Sequence, residues 1–114
     1  MFARITVIHV CLDRIDEAIE LYRKSVVPEA RKQKGFIGAY FMVNRKLGKG
    51  AAITFWKNEQ DAVANEENLY YQEQLAKFLP FYSEPTTVIR EGYEVHICVS
   101  IGPAKKKASK KARK

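Results

Sequence analysis

The chain has 114 residues, enough for one domain with a hydrophobic core and too few for two. Its 20 Lys and Arg against 13 Asp and Glu give a formal charge of +7, but seven of the cations lie in AKKKASKKARK (104–114). The other 13 match the 13 acids, so residues 1–101 read as a charge-balanced domain, not a nucleic-acid binder, and residues 102–114 as a basic tail expected to be disordered.

The run MFARITVIHVCL (1–12) is interrupted by Arg4 and His9 and lacks a small-residue cleavage site, so neither a signal peptide nor a membrane span is expected there. A cytoplasmic location with reduced cysteines is expected. ARITVIHVC (3–11) is rich in Ile and Val and predicts a strand. Asp13 is placed to cap a helix over 13–26, on which Ile15, Ala18, Ile19, Tyr22 and Val26 recur at helical spacing. Pro28 should push Val27 toward an extended conformation and kink the chain, with a helical continuation to about Lys34. Gly35 closes it. FIGAYFMVN (36–44) and AAITFW (51–56) then form a hairpin around RKLGKG (45–50). Asn58 caps a short helix over 58–67, and a second runs from Leu69 to about Phe81, near Pro80 and Pro85. TTVIREGYEVHICVS (86–100) is extended, with a bend or bulge at Gly92.

The order β-α-β-β-α-β predicts an α+β fold, the ferredoxin-like βαββαβ plait with a four-stranded antiparallel sheet and helices on one face. The strands are apolar on both sides: Phe36, Tyr40 and Met42 oppose Ile37, Phe41 and Val43, while Ile5 and Val7 oppose Ile8 and Val10. The helices cover only one face, so a second copy of the chain is the simplest cover for the other.

Three segments carry a family resemblance. KGFIGAYFMVN is similar to a Gly-aromatic-x-Gly entry into a second strand, ITFWKNEQDAVA to a third strand ending in Trp before a polar-capped helix, and EGYEVHICV to a closing strand. Over roughly residues 3–100 the sequence resembles the antibiotic biosynthesis monooxygenases. The resemblance implies a dimeric α/β barrel, with a cleft in each subunit between sheet and helices. It also implies an oxidoreductase that oxidises a small phenolic or hydroquinone-type aromatic with O₂ and no bound cofactor. The family's haem-degrading branch uses a strand-one Asn, a helix Trp and an iron-ligating helix His. Thr6, Asn65 and Leu75 hold those places here, and no His lies in a predicted helix.

Within the implied cleft, Trp56 is either a core anchor or a wall, beside Thr6 and Thr54 if these share the helix-facing side. Tyr71, Leu75, Phe78 and Tyr82 fall on one helical stripe, while Tyr70 falls with Gln74 and Lys77 on a wetter one. Tyr71 and Asn65 are thus the candidate catalytic residues, and Thr6, Thr54, Trp56 and Phe78 the candidate substrate-binding ones. Asn68 and Gln72 add neutral amides near the helix break. Glu66–Glu67 and Glu17–Glu20 lie on predicted exposed helical faces.

IHVC (8–11) and VHIC (95–98) hold all the histidines and cysteines, a set that would suit zinc or copper if it converged. Antiparallel pairing of the first and last strands sets His9 nearer Glu94 than Cys98, so no metal site is predicted. GKG lacks the following helix of a phosphate loop, and neither His has an orienting acid for nucleophilic catalysis. The alternative, of a different class, is a non-catalytic dimeric ligand-binding or interaction module whose 104–114 tail contacts nucleic acid or an anionic surface.

Overall fold

The computed structural model describes residues 1–84 and 88–99; the basic tail and its expected disorder lie outside them. Strand β1 (Phe2–His9) leads through a 3-10 turn (Leu12–Arg14) into α1 (Ile15–Leu21), a π turn (Tyr22–Val26) and α2 (Val27–Ala30). The hairpin β2 (Phe36–Asn44) and β3 (Lys49–Trp56) follows, then α3 (Glu59–Glu67), α4 (Tyr70–Ala76), a 3-10 turn (Leu79–Phe81) and β4 (Ile89–Glu94). The sheet is antiparallel throughout in the order β2-β3-β1-β4, the predicted α+β ferredoxin-like arrangement. No helix among the described residues is long and apolar enough to cross a membrane.

Strand alternation decides which side chains face the helices. On β1 these are Arg4, Thr6, Ile8 and, just beyond it, Val10, all buried. Ile8 and Val10 join Ile15, Ala18, Tyr22, Val26 and Phe78 in the core, and the Tyr22 ring stacks on Phe41 at 4.6 Å. Asn58 caps α3 as predicted, its side-chain oxygen accepting the Asp61 N–H at 2.9 Å. Gly35 holds φ at +79°, and a Cβ there would overlap the buried Asp61 carboxylate, so this position needs glycine twice over.

Several local expectations are corrected. Asp13 does not cap the first helix. The Arg14 N–H bonds back to the Cys11 carbonyl at 2.9 Å, and this tight turn delays α1 to Ile15. Val27 stays helical at φ −60°, ψ −48°, and the helix runs through Pro28 to Ala30. In the π turn the Val27 N–H reaches the Tyr22 carbonyl, widening the helix just before the proline ring. The last helix stops at Ala76, with only a 3-10 turn beyond.

The bulge lies in β2 between Phe36 and Gly38, not at Gly92. It reverses the phase of the strand, so Phe36 packs edge-on against Trp56 and shares the helix side with Phe41, while Ile37 is exposed. Gly92 pairs regularly with Arg4 and makes room for the Phe2 ring, which a Cβ there would meet at 2.5 Å. Glu94 pairs with Phe2, not near His9. His96 and Cys98 therefore run past the start of β1, while His9 and Cys11 lie at its other end. The two quartets never meet. Beyond β4 the Val95 N–H still reaches the Met1 carbonyl at 3.0 Å.

Candidate active-site cavity

Between the helix-facing side of the sheet and the helices lies a cavity of about 70 Å³. Its floor is Thr6 and Ile8 of β1, Phe41 of β2, and Ala52, Thr54 and Trp56 of β3. Tyr22, Val26 and Ala30 close it on the α1–α2 side, and Tyr71, Leu75 and Phe78 on the other. Five of the six candidate residues, Thr6, Thr54, Trp56, Tyr71 and Phe78, are thus brought together around one space. Trp56 is both anchor and wall. It is 1% exposed, and its indole N–H donates to the Thr54 hydroxyl at 2.9 Å.

The buried Tyr71 hydroxyl meets the Thr6 hydroxyl at 2.6 Å, joining α4 to the sheet across the cavity edge. Burial raises the Tyr71 pKa, opposed by the Thr6 hydrogen bond and the nearby Arg4 charge. Burial also pushes Tyr70 up to about 12. Both phenols are neutral hydrogen-bond donors near neutral pH.

Asn65 is placed differently. It is buried in α3, but its Nδ2 donates to the Asp61 carbonyl at 3.3 Å and its Oδ1 accepts from Arg4 at 2.9 Å. It does not line the cavity. Asn68 and Gln72 are exposed, and the Asn68 side chain accepts the Tyr70 N–H at 3.0 Å. Tyr70 and Gln74 were expected on the wet face, yet both line the cavity. Their stripe faces the first helical segment instead of solvent, as Lys77 Nζ shows by donating to Ser25 at 2.8 Å.

The residue that sequence reasoning missed is Arg4. It lines the cavity while only 4% exposed, with its guanidinium carbon 4.2 Å from the Tyr71 ring centroid and 5.3 Å from that of Trp56. Its Nη1 donates to the Ala62 carbonyl (3.2 Å), Asn65 Oδ1 (2.9 Å) and Glu66 Oε2 (3.1 Å). Glu66, expected on an exposed face, is instead 23% exposed and also pairs with Arg90 at 3.0 Å. It turns inward because the buried cation needs a counter-charge. Desolvation lowers the Arg4 pKa, and the Glu66 hydrogen bond opposes that shift. The signal was present in the alternation of ARITVIHV, which puts Arg4 on the same face as Thr6 and Ile8.

No protein-family model and no curated protein matches the sequence. Solved structures do match in shape. A monooxygenase from the gene ActVA-Orf6 of Streptomyces coelicolor, in complex with Nanaomycin D, is 17% identical with a TM-score of 0.66, over 87% of this chain and 90% of that one. SnoaB, a cofactor-independent oxygenase of Streptomyces nogalater, is 9% identical with a TM-score of 0.64, over 86% and 95%. A conserved protein from Methanosarcina mazei Go1 is 15% identical with a TM-score of 0.64, over 81% and 89%. With further matches named antibiotic biosynthesis monooxygenases, these relationships establish that the chain has the antibiotic biosynthesis monooxygenase fold.

Proposed function

We propose that the protein is a cofactor-independent monooxygenase that oxidises a small phenol or hydroquinone-type aromatic with O₂, working as a homodimer. The observation that carries this reading is the cavity. Aromatic walls enclose a space into which one buried neutral phenol, Tyr71, is set by a hydroxyl partner from the sheet. Support comes from the fold shared with a cofactor-independent oxygenase.

In such a site Trp56 and Phe78 hold the flat substrate, and exclusion of water strengthens each hydrogen bond to its oxygens. With Thr6 as the donor to the Tyr71 oxygen, the Tyr71 proton is free for the oxyanion that forms on the substrate or on the reduced oxygen. Asn65 acts one step back, as a positioning residue for Arg4. The balance needs no outside reductant. A phenol with a free para position loses its O–H and one C–H hydrogen. One oxygen atom becomes the second quinone carbonyl and the other leaves as water, all four electrons coming from the substrate.

The dimer is proposed from the uncovered face of the sheet, where Tyr40, Met42, Ile89 and Tyr93 stay about half exposed. A cytoplasmic site of action fits the two free cysteines. The basic 104–114 segment is proposed as a loose contact for nucleic acid or anionic surfaces. A chain ending at Ile101 should then be retained less than the full chain on a DNA-coated surface at low salt, and equally at high salt.

The test of activity is oxygen uptake in metal-free buffer with hydroquinones and dihydroxynaphthalenes, with quenching of Trp56 read alongside. Faster uptake with protein supports the oxygenase. Quenching without uptake favours a binding module on the same fold.

A further inference from the structure

Among the described residues Arg4 is the only charged side chain lining the cavity, and its hydrogen bonds are unevenly distributed. All three leave from Nη1, and among the described residues Nε and Nη2 have no hydrogen-bond partner. The charges are also uneven. Arg4 and the half-exposed Arg90 share the carboxylate of Glu66, so among the described residues two cations meet one anion beside the cavity. A third feature lies on α4, which also lines the cavity. Gln74 Oε1 is buried at the cavity wall and accepts no hydrogen bond. A desolvated cation with free donors calls for an anionic oxygen, and a buried acceptor calls for an O–H or N–H.

We propose that the cavity selects a hydroxylated aromatic anion, whose ionised oxygen (a carboxylate or an acidic phenolate) is received by Arg4 and whose hydroxyl donates to Gln74. The proposal rests on the oxygenase reading only in taking this cavity as the ligand site. Arg4 is then a specificity-determining residue. Its Nη1 is anchored by Asn65, Glu66 and the Ala62 carbonyl, and its guanidinium carbon sits over the Tyr71 ring at 4.2 Å. A neutral ligand of the same shape leaves Nε and Nη2 unpaired in an apolar space, and that difference is the discrimination.

The experiment is an anaerobic titration of Trp56 fluorescence in the full chain with a matched pair, 1-hydroxy-2-naphthoate and the neutral 1-hydroxy-2-naphthamide. The anion should bind about tenfold or more tightly than the amide, the size expected for a charge-assisted hydrogen bond. Arg4→Gln should bring the two to near equality, and Arg4→Lys should restore part of the preference. Should Arg4→Gln fail to fold, Glu66→Gln decides. Removing the competing carboxylate should raise affinity for the naphthoate several-fold, whereas a merely structural ion pair predicts no gain. Equal binding of the two probes by the wild type, or binding of neither, would overturn the proposal. Naphthoate binding without oxygen uptake on any substrate leaves this proposal standing and sinks the oxygenase. Uptake on neutral hydroquinones without an anion preference does the reverse.

Discussion

Tyr71 and Thr6 share a 2.6 Å hydrogen bond between buried hydroxyls, one on a helix and one on the central part of the sheet. The pair ties α4 to β1 at the cavity edge, and with Thr6 as the donor it leaves the phenol proton free for a ligand. Replacing Tyr71 with Phe keeps the ring over which Arg4 stacks and deletes only the hydroxyl. The stability loss should be about 1 kcal/mol, measured by chemical denaturation. On any substrate that turns over, kcat should fall about 10- to 100-fold with KM changed by less than about threefold, because the lost bond strengthens only as oxyanion charge develops. An equal fall in affinity would assign the hydroxyl to ground-state binding.

Alkaline pH probes the buried phenols. Tyr22, Tyr70 and Tyr82 are each pushed up from the ordinary 10 to about 12, burial being the largest cause. The unfolded chain ionises these groups first, so it binds fewer protons than the native state between pH 10 and 12. Their contribution to stability is therefore intact below pH 10 and lost as pH rises toward 12. Denaturation midpoints measured from pH 8 to 12 should fall across that window, and Tyr22→Phe should make the fall shallower.

The fold was legible because its signals are local and repeated. Ile and Val alternation marks β1, Asn58 marks the start of α3, and the glycines mark the hairpin. The aromatic side of the cavity was legible for the same reason, since Tyr71, Leu75 and Phe78 keep helical spacing and Thr54 and Trp56 keep strand spacing. What spacing cannot show is which second face a helix buries. Tyr70 and Gln74 look wet on α4 alone, and only the packing of that stripe against Ser25 and the first helix turns them inward. Arg4 was readable in principle but was passed over, because a charge in a strand is read first as an interruption. Its counter-ion was not readable, since Glu66 is 62 residues away. The bulge at Ile37 had no signature that separates it from regular alternation.

The two cysteines give an independent check of the β1–β4 register. Phe2 lies opposite Glu94, which carries Cys98 beyond one end of the sheet and leaves Cys11 beyond the other. Thiol titration should find two free thiols per unfolded chain. In the native protein the exposed Cys98 should react fast, and the half-buried Cys11, whose Sγ approaches the Tyr82 carbonyl at 3.8 Å, should react slowly. An intramolecular disulfide in the native protein would contradict the register.

The last prediction concerns the face of the sheet opposite the cavity. Tyr40 and Met42 of β2, with Ile89 and Tyr93 of β4, are about half exposed there, and Tyr40 meets Phe55 edge-on at 6.1 Å. Alternation gives this face few charges: on β1 and β3 it presents Ala3, Ile5, Val7, Ala51, Ile53 and Phe55, with the His9–Lys49 pair at one end and Glu91 of β4 beside Ile5. A continuous apolar sheet face of this kind is what one copy needs to cover another. Sedimentation equilibrium at micromolar concentration should return twice the 13.1 kDa chain mass. Placing charges in the middle of that surface, as Tyr40→Glu with Met42→Glu, should return the single-chain mass, because two carboxylates per subunit would be desolvated at the interface. The cavity lies on the other side of the sheet, so the double variant should keep the buried Trp56 emission of the wild type if each subunit folds alone. A wild-type protein that stays monomeric at micromolar concentration would remove the dimer and leave this face to another partner.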